Sequence, residues 1–314
     1  MKICIQSDAT KCLFPNDKAY KMIKESGFEA IDWNLDDSWN YKELEKAESF
    51  EGHCIFEKSL PEIMEYYKEE LAIIRENGLE IAQAHAPFRP NIPGRPEFLD
   101  YAISIYKKII LFCDAIGCKN LVVHGVSMAE YEPELTVDKF EEVNMKLYSS
   151  LIPELLKTNV TVCAETLFCT NYVAKGYSEG VISNPYLAKD WIDRLNEMAG
   201  KECFGICLDS GHLHLLRKSY RGYIPVVGKR IKALHIHDNS QDGDLHVMPY
   251  TGTINWEDFV TELNKIGYDG DVSFETFSQI KKRHVPAALV PDFMQLMAKT
   301  ADYFRKRIKG EIDK

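Results

Sequence analysis

The stretch EFLDYAISIYKKIILFCDAIGCKNLVVHG, residues 97–125, contains one whole repeat of the architecture this chain encodes. An amphipathic run over 97–117 ends on Gly117, a helix C-terminal signal, and NLVVHG (120–125) follows at once as a strand-like apolar segment. The succession extends outward in both directions. KMIKESG (21–27), PEIMEYYKEELAIIRENG (61–78) and FVTELNKIG (259–267) also close on a glycine just before a strand-like segment. The strand-like segments of the whole chain are KICIQS (2–7), EAIDWN (29–34), EIAQAHAP (80–87), NLVVHG, TVCAET (161–166), GICLDS (205–210), IKALHIHD (231–238) and DVSFET (271–276). Eight βα units with no composition break to mark a linker predict an α/β fold, one (β/α)8 TIM barrel forming a single domain over 1–314. A doubly wound open sheet has the same local pattern. It more often carries a glycine-rich turn after strand one, where this chain reads SDATKCLFP (7–15).

The composition fits that reading. With 314 residues, 45% hydrophobic and 27% charged, the chain has the make-up of an ordinary soluble globular protein. It contains no apolar run near the ~18 residues that span a bilayer, and MKICIQSDAT (1–10) starts like a strand and lacks the apolar core of a signal peptide. Nine cysteines without a CxxC pair point to reduced thiols and a cytoplasmic setting. Most, such as Cys4, Cys163 and Cys207, lie in apolar runs as small core residues. A formal charge of −10 argues against a polyanionic partner.

In a barrel, chemistry belongs at the C-terminal ends of the strands. Strands three to eight end on His85 (AQAHAP), His124 (LVVHG), Glu165 (VCAET), Asp209 (ICLDSGH), His235 (ALHIHD) and Glu275 (VSFET). The loops add His212, three after Asp209, and the pair Asp244 and His246 in DLH. Each has a bland reading taken singly. A lone histidine is more often a satisfied core or edge residue, Glu165 could cap the following helix, and Asp209 with Ser210 could be a simple N-cap. Together these readings fail, because closure gathers six strand ends around one mouth, where two glutamates and an aspartate repel one another. A divalent cation relieves that repulsion and accounts for the imidazoles as neutral donors. Carboxylate and imidazole without thiolate suit Mn²⁺, Zn²⁺, Fe²⁺ or Co²⁺. His237, two after His235, faces the same way on an extended strand and is expected above the metal, near substrate or supporting a ligand.

The order His, His, Glu, DxxH (209–212), HxxD (235–238), DxH (244–246) followed by GTINW (252–256), and a final Glu resembles the xylose-isomerase-like TIM-barrel superfamily. This superfamily contains ketose epimerases, sugar and inositol isomerases or dehydratases, and zinc AP endonucleases (AP endonuclease family 2). The match runs from strand one nearly to the C-terminus. In the epimerase branch the resemblance implies one metal held by Glu165, Asp209, His235 and Glu275, with the two glutamates as acid and base and His212 on a substrate oxygen. In the endonuclease branch it implies three zinc ions on nine ligands matching His85, His124, Glu165, Asp209, His212, His235, Asp244, His246 and Glu275. All nine residue types are kept here. Many isomerase-like members also keep the extra histidines, so the count leaves one metal or up to three open. Many relatives assemble through barrel faces, so a homo-oligomer is an option.

For an isomerase or epimerase the chemistry is proton transfer beside a carbonyl, through an enediolate, on a sugar, sugar phosphate or related polyol. Glu165 and Glu275, on nonadjacent strands, would address opposite faces of the planar intermediate, and acid–base help of this kind contributes about 10²–10⁴ in rate. A dehydratase needs the same first step. A nuclease would use a metal cluster to activate water and clamp a phosphate. Against it, the loop NLDDSWNYKELEKAESFEG (34–52) is acidic where a DNA-binding barrel wants Arg and Lys. FRPNIPGRP (88–96) supplies only Arg89 and Arg95, which with Arg283 in KKRH (281–284) could bind one phosphate or carboxylate of a small substrate, or be plain surface arginines. A barrel that binds without turnover has no need of two bases. Trp33 at the end of strand two, and Phe88, Phe168, Tyr172 and Tyr177 in βα loops, would supply aromatic walls to a sugar or pack their own loops. The insertion FCTNYVAKGYSEGVISNPY (168–186) reads as a candidate lid, and Trp256 as packing.

Overall fold

A computed structural model describes residues 1–127, 137–171 and 175–313; Tyr172 lies outside the described residues. Long apolar strand segments buried on both faces are the pattern of a parallel sheet covered by helices. The strands are β1 (Ile3–Gln6), β2 (Ala30–Asn34), β3 (Glu80–His85), β4 (Asn120–Val123), β5 (Thr161–Glu165), β6 (Phe168–Asn171), β7 (Gly176–Glu179), β8 (Phe204–Asp209), β9 (Ile231–His235) and β10 (Val272–Phe274). Eight of them form one sheet in the order β10-β1-β2-β3-β4-β5-β8-β9. A parallel bridge, Ile236 to Phe274, adjoins β9 and β10. With helices between its parallel strands, the fold is the nearly closed (β/α)8 TIM barrel that the repeat predicts. No described helix is long and apolar enough to cross a membrane.

The chain falls into two compact units. One comprises Met1–Trp33, Glu69–Gln83 and Cys207–Lys314, and the other Asn34–Lys68 and Ala84–Ile206, so the cuts run through β2, β3, β8 and the start of the helix Lys68–Glu76. In the first unit, β1 pairs with β2 in the register Cys4–Ala30, Ile5–Ile31, Gln6–Asp32. The helix Val290–Ile308 buries Met294, Met297, Ala301 and Phe304. In the second unit, the helix Phe98–Ile116 buries Phe98, Ala102, Ile105, Tyr106, Ile109 and Phe112 along one stripe. Gly117 ends it in the left-handed conformation (φ +79°), with its N–H donated to the Asp114 and Cys113 carbonyls.

Two segments, the helical run 61–78 and the insertion read as a candidate lid, take a form the sequence did not spell out. The run 61–78 contains two helices, Leu60–Tyr66 and Lys68–Glu76, rather than one. The break falls at Tyr67, whose buried ring docks on Phe56 and Phe112 at centroid distances of 5.9 and 5.2 Å. In the insertion after β5, β6 and β7 pair as an antiparallel hairpin. The acidic loop after β2 is pinned by Arg95, whose guanidinium lies 4.0 Å over the Phe50 ring and donates to the carbonyls of Leu44 (3.3 Å) and Ala47 (2.6 Å). Arg95 is thereby a loop staple. Eight of the nine cysteines are buried, and Cys12 is half-buried.

Candidate metal centre

In the second unit, β4 and β5 pair with Val123 opposite Ala164, which sets the next residues, His124 and Glu165, side by side. The Ala86 N–H donates to the Val122 carbonyl and fixes the end of β3 beside them. Glu165 Oε2 then lies 2.7 Å from His124 Nε2 and 3.3 Å from His85 Nε2, and the two imidazole nitrogens are 3.2 Å apart. His85 Nδ1 faces the Ala86 carbonyl oxygen at 2.6 Å, and a carbonyl only accepts, so Nδ1 carries the hydrogen. The Nε2 lone pair of neutral His85 therefore points at a carboxylate oxygen, an arrangement a cation stabilises. Phe88 stands over this group, its ring 5.9 Å from His85 and 5.6 Å from His124, and is 37% exposed. Tyr106 supports the Phe88 loop by donating to the Pro87 carbonyl (2.6 Å). Arg89 is exposed with φ +68°, its guanidinium 5.4 Å over the Tyr41 ring.

In the first unit, Asp209 ends β8, His235 ends β9 and Glu275 follows β10, and one ligand atom from each lies within 4.8 Å of the others. Asp209 is the N-cap that one of its sequence readings offers, and it also stands in this donor group. Its Oδ1 accepts from the His212 N–H (2.6 Å), capping the helix Ser210–Leu215, while Oδ2 lies 3.1 Å from His237 Nε2. His235 Nδ1 lies 3.3 Å from Glu275 Oε2, and its Nε2 is 2.9 Å from Asp32 Oδ2. Gln6 donates to Glu275 Oε1 (2.8 Å), and Gln83 donates to Asp32 Oδ2 (2.9 Å). Gln6, Asp32 and Gln83 escaped the sequence reading; their signal was a buried polar residue inside an apolar strand.

A second group in this unit joins His212, His237, Asp244 and His246. His246 Nε2 is 2.9 Å and His212 Nε2 3.4 Å from Asp244 Oδ2, and His237 Nε2 is 3.6 Å from Asp244 Oδ1. The His237 and His246 rings stack at 4.1 Å. Burial acts to lower the His246 imidazole, but the carboxylates of Asp244 and Glu275 outweigh it and push it up to about 9. Burial likewise opposes ionisation of Asp244, and His246 and His212 more than offset it, holding this carboxyl well below its usual range. His237 lies beyond the end of β9, and its ring turns to Asp209 and Asp244 while that of His235 turns to Asp32 and Glu275. The loop is held by buried Asp238: Oδ1 accepts from the N–H of Asn239 (2.9 Å) and Ile254 (3.2 Å), and Oδ2 from the N–H of Tyr250 (3.0 Å) and Trp256 Nε1 (3.0 Å). Trp256 thus packs, as its position in GTINW suggests. Trp33 is fully buried, and Arg283 is exposed at φ +56°, just past the helix Ser278–Lys281.

The donors fit a divalent ion. Among the described residues, Glu275 Oε2 and Asp244 Oδ1 are buried without a hydrogen-bond partner. Lone pairs removed from water without a donor are unfavourable, and a cation satisfies them. Imidazole and carboxylate donors without thiolate match Mn²⁺, Fe²⁺, Co²⁺ or Zn²⁺.

A family model described as a xylose isomerase-like TIM barrel matches residues 20–304. The chain is 24% identical over 276 residues to uncharacterized protein y4fM of Sinorhizobium fredii, covering 81% of this chain and 79% of that one. It is 28% identical over 153 residues to a probable endonuclease 4 of Mesoplasma florum, covering 48% and 47%. Among solved structures, the IolI protein with a bound zinc atom superposes at a TM-score of 0.69 with 16% identity, covering 99% of both chains. A D-allulose 3-epimerase from Methylomonas sp. in complex with D-allulose superposes at 0.66 with 13% identity, covering 98% of this chain and 97% of that one.

Proposed function

The chain belongs to the xylose isomerase-like TIM barrel family, and from that premise we propose that it is a divalent-metal-dependent isomerase or epimerase of a sugar, sugar phosphate or related polyol. The observation that carries the reading is the set Asp209, His235 and Glu275, whose donor atoms converge within 4.8 Å with the buried Glu275 Oε2 lacking a hydrogen-bond partner among the described residues. These three hold the metal. When bound, the ion supplies positive charge that favours loss of a proton from carbon beside a substrate carbonyl.

The protein's own groups do the rest. Glu165, at the end of β5, and Glu275, just past β10, are the two carboxylates that would take a proton from substrate carbon and return one to it. Gln6 donates to Glu275 Oε1 and so directs Oε2 away from β1. Phe88, partly exposed over His85 and His124, offers an apolar wall to a sugar's C–H face. His212 supplies a polar contact to a substrate oxygen.

The test is solvent-proton exchange at carbon across a panel of ketoses and ketose phosphates, with the metal-loaded protein. Exchange should appear with at least one substrate and be lost in both Glu165→Gln and Glu275→Gln; wild-type exchange in both variants would end the acid–base assignment. A second reading is favoured by the matched segment of a probable endonuclease 4 and by donor groups beyond the first, His85 with His124 and Glu165, and His212 with Asp244 and His246. It predicts nicking of abasic duplex DNA, measured on the same preparation. Nicking without proton exchange would favour it.

A further inference from the structure

We infer that Asp32, in the middle of β2, is the positioning residue that makes His235 a metal donor through Nδ1. The inference rests on the metal reading above and adds a residue to it.

Asp32 is a carboxylate with no solvent exposure, between the buried neighbours Ile31 and Trp33. A charge in that place is costly unless something answers it. Two donors do. His235 Nε2 lies 2.9 Å and Gln83 Nε2 2.9 Å from the same oxygen, Oδ2. The Gln83 amide is itself held, 3.3 Å from the Leu234 carbonyl, so it cannot turn away to leave the imidazole alone with the carboxylate.

An ionised carboxylate only accepts, so the hydrogen of a neutral His235 ring resides on Nε2. The lone pair then resides on Nδ1, 3.3 Å from Glu275 Oε2. Two acceptors facing one another at that distance repel, and a cation shared between them converts the repulsion into attraction. The other side of the pair is fixed from the same layer of the sheet. Gln6 is the registered partner of Asp32 on β1, and it donates to Glu275 Oε1. One registered pair of polar residues thus sets both halves of the donor pair: Gln6 aims Glu275, and Asp32 aims His235. A hydrogen-bonded carboxylate behind a ligating imidazole fixes its tautomer and raises its basicity, and losing such a partner typically weakens metal binding by about 10–100-fold.

The experiment titrates Co²⁺ into metal-free protein and follows visible absorption for wild type, Asp32→Asn, Asp32→Ala and His235→Ala, with thermal melting recorded for each. Long-range proton–nitrogen NMR of the histidine rings runs in parallel. Wild type should show His235 protonated on Nε2, and both Asp32 variants should bind Co²⁺ about 10–100-fold more weakly, with the His235 ring signals displaced. Asp32→Asn keeps the side chain's shape, so it decides the question if Asp32→Ala does not fold. Unchanged Co²⁺ affinity in Asp32→Asn, beside a loss in His235→Ala, would overturn the role of Asp32 alone. Unchanged affinity in His235→Ala would overturn the metal assignment, and the role of Asp32 with it.

Discussion

Asp209 holds a helix N-terminus with one oxygen and faces His237 with the other, so a single side chain meets both a structural and a chemical demand. The next residue but one shows how tightly that corner is built. A β-carbon on Gly211 would lie 2.0 Å from His237 Cε1. Gly211→Ala must therefore displace the ring that bonds Asp209, and should destabilise the fold by about 1–3 kcal/mol, as overpacking of a filled interior does. Urea denaturation measures this, and an unchanged midpoint would mean that His237 has room to move. At this scale the sequence was informative where position alone carries the meaning: His85, Glu165, Asp209 and His235 end strands, and His124 and Glu275 directly follow them. Asp32 was not. Its partner His235 lies 203 residues away along the chain, and no periodicity in one strand says which distant ring it will meet.

The elements that carry the donors are of two kinds. Donors at strand ends inherit their places from the sheet, whereas Asp244 and His246 ride on a loop that has to be tied down. Asp238 ties it by accepting from three backbone N–H groups and the Trp256 indole. Asp238→Ala would leave these donors without an acceptor; it should cost more than about 3 kcal/mol of stability, because each stranded buried donor costs about 1–3 kcal/mol. Hydrogen exchange over residues 239–255 should accelerate in step, and protection equal to wild type there would show that the loop is held by other means. The helices read well from sequence where a glycine closes them, as at Gly117, whose positive φ needs no side chain to be accommodated. They read poorly at Tyr67, since a helical period continues through a residue that tertiary packing pulls out of line. The lid expected after β5 is, in its described part, a hairpin, because Phe168 and Tyr177, edge to face at 5.0 Å, stack across two short strands.

For the whole molecule, the barrel and the family were legible because eight repeats and an ordered series of strand ends over-determine them. The substrate was not, since the proton transfer proposed above would ask for the same acid, base and ion on many sugars. Substrate choice depends on loop residues whose partners come from folding. One global property offers a handle that needs no substrate. With eight cysteines shielded and only Cys12 half-buried, an aromatic disulfide reagent should modify about one sulfhydryl promptly in the native state, and the remainder only as fast as the chain opens. The slow phase is then a clock for breathing of the interior. If Mn²⁺ or Co²⁺ binds the folded form alone, adding it should slow that clock in proportion to its occupancy; a chelator should restore the original tempo, and a rate indifferent to both would mean that the ions leave the resting protein untouched.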